Sequence, residues 1–435
     1  DQTRAIFANA EIGWKSMIYL TATGRNDWDS RLAFSDYKSF FYPSVGLSAI
    51  LTSMFNAPDW LTYLKVRGSY TEVGNSYGRF MTTVTYPYDE QTQNWTSTSS
   101  YPNTKLKPER TKSWEVGLDA RILNDISLNL TYYRSNTYNQ TFYADLSLSS
   151  GYSNIPIQSG NIMNEGIEMA LGYNKQWKDF SFNTNYTLTW NKNRVKRLAD
   201  GVYNYATGQS IQMPELSPLT YGHTDARLIL RVGGSMGDVY GQRLLKRDLN
   251  GYILNEEGVG LTMENKETYL GSILPKMNMG WSLGFGYKGV NLGMTFTGRF
   301  GGIVISETQS VLDAAGVSKV SADVRDAGGV QINQGKVSAQ TYYQAIQGTA
   351  AYYTYSATNV RLGELSLSYT LPKKWFDNKV GMTVGLVGKN LWMIYCKAPF
   401  DPELTTSAAS NFYQGFDAYM LPSTRNFGFN IKFQF

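Results

Sequence analysis

One cysteine, Cys396, and one histidine, His223, stand in a chain of 435 residues. A lone thiol excludes an internal disulfide, and a lone imidazole excludes a multi-histidine metal site or a two-histidine relay. Charge is also scarce. Asp, Glu, Lys and Arg make up 17% of the chain, below the roughly 25% of ordinary soluble proteins. No uninterrupted apolar run reaches the ~18 residues that mark a transmembrane helix, and the mean hydropathy is −0.33. The net charge of +5 is modest for the length. Its basic residues are spread out, apart from Lys192, Arg194, Lys196 and Arg197. A nucleic-acid surface shows a denser basic stripe interleaved with aromatics, so no nucleic-acid partner is expected, and the cluster reads as a solvated loop.

What is abundant is aromatic: 32 Tyr, 20 Phe and 10 Trp, beside 41 Gly. These residues fall into a period of two. "DISLNLTYY" sets Ile126, Leu128, Leu130 and Tyr132 against Ser127, Asn129, Thr131 and Tyr133. "SFNTNYTLTW" and "WSLGFGY" repeat the pattern, and the chain finishes on "NFGFNIKFQF". The polar sides carry Ser, Thr, Asn and Gly, where a solvent-washed soluble sheet would carry Lys and Glu. A free edge this aromatic invites aggregation in water. Lipid on one face and a hydrated lumen on the other explain both sides, because a transmembrane strand needs only about ten alternating residues.

The connections sort into two lengths. Short ones fall at Lys15, at Asn124 and Asp125, over Lys175 to Lys178, at Lys288 and Gly289 and over Pro372 to Asn378. Long ones cover 25–39, 74–112, 135–161, 192–278, 300–358 and 391–423. They alternate if the chain forms about thirteen strands: 5–14, 16–24, 40–51, 62–73, 113–123, 125–134, 162–174, 179–191, 279–288, 289–299, 359–370, 379–390 and 424–435. The joint 52–61 is intermediate and counts as short. The expected fold is an all-β transmembrane antiparallel barrel wall, with short periplasmic turns and long extracellular loops. A single-chain bacterial barrel has an even strand number, so the first strand's partner is expected upstream of Asp1.

Eleven stretches in order carry a resemblance: "YLTATGRNDW", "YPSVGLSAIL", "LKVRGSYTEVGN", "LKPERTKSWEVGLD", "GNIMNEGIEMALGY", "WNKNRV", "GRFGG", "NVRLGELSLSYTLP", "GKNLW", "DPE" and the terminal Phe435. Together they resemble the C-terminal barrel of the SusC/RagA family of TonB-dependent transporters of Bacteroidetes. The resemblance implies that residues 1–435 are about the last thirteen strands of a 22-stranded barrel in the outer membrane of a Gram-negative bacterium. It also implies that the signal, TonB box and plug lie on sequence outside these residues. The implied activity is energised import of oligosaccharides, or alternatively peptides, captured with a SusD-like surface lipoprotein. The implied drive is TonB-ExbB-ExbD, acting through the N-terminal part. The terminal aromatics Phe427, Phe429, Phe433 and Phe435 are the expected signal for the outer-membrane assembly machinery.

Substrate or lid contacts are expected from the loops: Trp95 and Tyr101, Tyr352 and Tyr353, and Phe400, Asp401 and Glu403. Loop packing and an interfacial aromatic girdle are the competing roles for such aromatics. "RDLNGYILNEEG" has the Asp248 and Asn250 of a calcium loop. Counted from Asp248, however, the sixth and twelfth positions are Ile253 and Val259, where an EF-hand needs Gly and Glu. An Asn-Gly turn is the alternative. A serine triad would have to use His223, and the carboxylate pairs Glu256/Glu257 and Asp401/Glu403 lie in polar loops where acids are ordinary, so no enzyme is expected. Two other classes stay open: a passive porin, which needs an even-stranded barrel without a plug, and a soluble carbohydrate-binding protein, which needs charged outer faces.

Overall fold

The computed structural model describes residues 1–198, 202–204, 207–211, 214–257, 260–404, 406 and 411–435. Thirteen long strands carry the sheet: β1 Thr3–Trp14, β2 Ile18–Asp29, β3 Phe40–Ile50, β4 Leu61–Asn75, β5 Glu109–Ile122, β6 Ile126–Asp145, β7 Asn154–Trp177, β8 Phe180–Arg197, β9 Met277–Tyr287, β10 Val290–Phe300, β11 Asn359–Leu371, β12 Gly381–Cys396 and β13 Asn426–Gln434. Each hydrogen-bonds to the next in sequence, so the sheet is a meander with β1 and β13 at its ends. Among the described residues, no helix is long and apolar enough to cross a membrane.

The register shows why the alternation produces a two-faced wall. In antiparallel pairs, opposite residues lie on the same face. Across β8 to β13 one row runs Phe182, Phe285, Leu292, Leu367, Leu386, Phe429. One position along, the other face reads Ser181, Gly286, Asn291, Ser368, Gly385, Asn430. Across β1 to β6 an apolar row runs Trp14, Ile18, Ala49, Val66, Leu118, Leu130. Leu386 and Phe429 are 62% and 78% exposed. Apolar rows this long exceed the few-hundred-Å² patches that soluble monomers tolerate, so lipid is the medium that fits them.

The tight turns use backbone that few side chains favour. Lys15 and Ser16, Leu123 and Asn124, and Lys288 and Gly289 all have positive φ, the twist that joins two right-handed strands in a short hairpin. One expected turn moves: β7 runs on to Trp177 and the bend falls at Lys178 and Asp179. The Trp177 ring stacks on Phe180 across it, with centroids 5.6 Å apart.

The long connections are shorter than expected, because β6, β7 and β12 extend well past the alternating segments. The segment between β6 and β7 is 146–153, where 135–161 was expected. Its added residues read as loop because they are rich in Asn, Gln and Ser. Neighbouring segments satisfy those groups: Asn136 Nδ2 donates to Asn161 Oδ1 at 2.7 Å, and Asn103 Nδ2 donates to the Pro156 carbonyl at 2.9 Å.

The chain divides into two compact units. One is Asp1–Gly172 with Asn191–Leu216 and Arg231–Gly234, and the other is Tyr173–Trp190, Ser217–Leu230 and Ser235–Phe435. The first has two small loop cores, around Leu32, Phe40, Tyr77 and Leu106, and around Ala144, Leu146, Ile155 and Ile157. The second has larger ones. Tyr221, Leu228, Ile273, Ile305 and Phe416 form one, and Leu245, Ile332, Tyr343, Ile346 and Tyr353 another.

Three helices stand between β10 and β11: Glu307–Ala314, Lys319–Asp326 and Ala339–Ile346. The sequence pattern predicts loop over all of 300–358, because these residues lack the period of two. Each helix starts at a serine whose hydroxyl accepts the amide three residues on: Ser306 from Gln309, Ser318 from Ser321 and Ser338 from Thr341. That capping pattern was the available signal.

Candidate functional site

The polar face of β2 to β6 carries charge that the strand pattern left unremarked. Lys65 and Arg67 alternate on β4, Glu115 and Asp119 on β5, and a period of two places all four on one side. Arg67 stretches over Gly117 to donate to Thr131 Oγ1 at 2.6 Å. Its guanidinium lies 3.9 Å from Glu115 and 3.8 Å from Asp119. A Cβ on Gly117 would come 2.7 Å from Arg67 Nε, so glycine is what lets the side chain lie flat on the wall. A cleft of about 190 Å³, bordered by Tyr19, Thr21, Ser48, Lys65, Arg67 and Glu115, opens beside it. It is a hydrogen-bonding wall of mixed charge, suited to a hydrated solute.

In the second unit, single carboxylates organise the loops. Asp225, its side chain 7% exposed, accepts the amides of Gln242 at 3.0 Å and Arg243 at 2.7 Å on one oxygen, and Ala350 at 2.6 Å on the other. Three segments far apart in sequence thus meet on one side chain. Hydrogen bonds to a charged group contribute ~1.5–3 kcal/mol each, net of the competing bonds to water. Asp225→Ala is therefore expected to loosen the loops by about 3 kcal/mol and leave the sheet intact. Protease nicking near the exposed tip at Leu249, with an unchanged heat-modifiable band on gels, is the check. Equal nicking of variant and parent would sink the idea.

Arg361, at the start of β11, is the second organiser. Its Nη1 and Nη2 donate to both oxygens of Asp401 at 2.9 and 2.8 Å, and Nη2 lies 3.2 Å from Glu403. Asn359 Nδ2 donates to the other Glu403 oxygen at 3.2 Å. Burial is the largest influence and pushes the Asp401 carboxyl up, but the Arg361 hydrogen bonds and charge, with the Glu403 amide and Ser423, together outweigh it and hold the group below the usual carboxylate range. Phe400 packs edge-on to Tyr355, with centroids 5.6 Å apart. Phe400, Asp401 and Glu403 are thus brought together, where they tie the chain just after β12 to the sheet.

The other expected contacts scatter. Trp95 is 71% exposed on a two-residue strand pair, its ring 5.1 Å from Tyr88. Tyr101 packs edge-on to Tyr152 at 5.2 Å against a loop core. The Tyr352 hydroxyl accepts the Leu245 amide at 3.1 Å. Tyr353 is 2% exposed inside its core. Asp248 Oδ1 accepts the amides of Asn250 and Tyr252 at 2.9 Å each, the hydrogen bonds of a turn. Among the described residues, no group of three or more His, Cys, Asp and Glu converges on a metal-sized point. Phe427, Phe429, Phe433 and Phe435 are all exposed along β13 and the chain end.

A family model described as TonB dependent receptor-like, beta-barrel matches residues 1–391. TonB-dependent receptor P3 of Formosa agariphila is 24% identical over 99% of this chain and 45% of its own length. TonB-dependent receptor SusC of Bacteroides thetaiotaomicron is 28% identical over 35% of this chain and 14% of its own. Among solved structures, the RagAB peptide importer in its open-open state superposes with a TM-score of 0.74 at 20% identity, over 99% of this chain and 46% of that one. The chain spans less than half the length of the full-chain relatives it matches.

Proposed function

The chain belongs to the TonB-dependent receptor β-barrel family, a family of outer-membrane transporters, and from that premise we propose that it is wall and loops of a SusC/RagA-type importer of oligosaccharides. The observation that carries this reading is the paired register of an apolar row with a hydroxyl- and amide-rich row on the opposite face, along a thirteen-stranded meander. Such a wall conducts a hydrated solute without holding it tightly. In this reading, a SusD-like lipoprotein captures cargo above the loops, and TonB with ExbB and ExbD supplies the work through a plug encoded elsewhere in the protein. The 22-stranded barrel that the resemblance implies has a lumen wide enough to need one. The wall residues contribute hydrogen bonds and mixed charge, and no chemical step is assigned to them.

For cargo, the exposed Trp95 and Tyr88 pair offers an apolar ring platform of the kind that stacks on sugar faces. Peptide import is the second reading, on the likeness to the RagAB peptide importer. Deleting the coding sequence from its host and comparing growth on oligosaccharide mixtures and on peptide mixtures as sole carbon source separates them. Lost growth on oligosaccharides, restored by the intact gene but not in a strain lacking TonB, is expected. Lost growth on peptides alone selects the second reading. Unchanged growth on both, with unchanged uptake of labelled substrates, would overturn the importer assignment.

A further inference from the structure

The three helices between β10 and β11 border a cleft of about 430 Å³, lined in part by Asp313, Ser321, Arg325, Ser338, Gln340 and Tyr343. Asp313 is 4% exposed. One of its oxygens accepts Gln309 Nε2 at 2.6 Å, and the other receives no hydrogen bond among the described residues. No Lys, Arg or His nitrogen comes within ion-pair distance of it among them.

That carboxylate is poorly placed for its own stability. It sits in the last turn of helix Glu307–Ala314, where the aligned carbonyls already make the potential negative. A buried charge without an opposite partner is costly. The hydroxyls around it cannot neutralise it. Burial first, and the Asp313 charge next, push Tyr355 up to about 12 and raise Tyr343 as well, so these phenols stay protonated. Arg325 stands on the rim, its Nε 3.6 Å from Asp326 and well exposed.

We propose that this cleft binds a primary ammonium group of the imported solute, with Asp313 as its counter-ion. The inference rests on the importer reading for where the ligand comes from. The ammonium supplies the positive charge that the helix end and the buried carboxylate lack. Tyr343, Ser338 and Gln340 offer its remaining hydrogen bonds. Arg325 at the rim repels a bare polyamine and accommodates an amine whose neighbour is an acceptor. The carbonyl beside a peptide's free N-terminus and the hydroxyls beside the amine of a 2-amino sugar both fit that description.

The test is calorimetric titration of the full-length protein, purified from outer membranes in detergent. The probes are trialanine against N-acetyl-trialanine, and glucosamine against N-acetylglucosamine. A free amine is expected to bind at least about tenfold more tightly than its acetylated form, the effect of one charged hydrogen bond. Asp313→Asn is expected to remove that difference. Which free amine binds identifies the source. Equal binding of free and acetylated probes, no binding of either amine, or a free-amine preference that persists in a folded Asp313→Asn protein overturns the proposal. The acetylation comparison is made on the parent protein, so it decides even if the variant does not fold. Amine binding by a protein that imports nothing leaves the cleft standing and sinks the importer reading, and import without an amine preference does the reverse.

Discussion

Leu367→Arg is expected to destabilise the folded protein by about 2–4 kcal/mol, whereas Ser368→Arg, one residue along, is nearly as stable as the parent. Leu367 lies in the apolar row between Leu292 and Leu386, and Ser368 lies in the polar row between Asn291 and Gly385. A charged side chain on the lipid face near mid-membrane costs about 2–4 kcal/mol, and much less on the lumen side or near the interfaces. A cost of that size is a large fraction of a typical folding free energy. The folded fraction is read across a urea titration from heat-modifiable migration on gels, after extraction from outer membranes. If both variants fold alike, the assignment of faces is wrong. A failure of Ser368→Arg alone would invert it.

Arg361→Met is expected to free the chain after β12 while β11 and β12 stay paired. The side chains of Arg361 and Asp401 are 11% and 8% exposed. Removing one partner of a buried pair leaves the other charge uncompensated, at about 3–5 kcal/mol. Glu403, 39% exposed at its side chain, contributes less because solvent screens it. Arg361→Met with Asp401→Asn recovers part of the loss, because no buried charge is then stranded. Chymotryptic cleavage at Phe412 or Tyr413 on intact cells reports the release. Parent-like resistance in the single variant would mean that the loop is held by its apolar core alone.

The same pair sets a pH dependence. Asp401 has its folded pKa held below the ordinary carboxylate value, so its contribution is fully present above the unfolded value of ~3.9. It fades as the pH falls through the folded value. Protease resistance of the parent loop is therefore flat from neutral pH to the unfolded value and declines only in stronger acid. In Arg361→Met the sign reverses, because protonating a stranded carboxylate relieves its burial. An acid-induced loosening equal in both proteins would remove Asp401 from the account.

Every one of the thirteen strands was legible in the sequence, because a period of two is imposed by backbone geometry wherever one face meets lipid and the other water. The extended ends of β6, β7 and β12 were not. Beyond the membrane both faces of a strand meet protein or solvent, the alternation lapses, and Asn, Gln and Ser read as loop. The helix starts at Ser306, Ser318 and Ser338 were visible only to a search for caps.

The candidate contacts divide along the same line. Which loops carry Trp95, Tyr101, Tyr353 and Asp401 is a matter of sequence. That Trp95 stands exposed, Tyr353 is enclosed, and Asp401 grips Arg361 40 residues away was decided only by the tertiary structure. Sequence alone determined the wall, because its pattern is local and repeats every second residue. The carboxylates of Asp225, Asp313 and Asp401 look alike in the sequence. One gathers three loops, one faces an open cleft and one holds an arginine, because burial and partners come from segments that meet only when the chain folds.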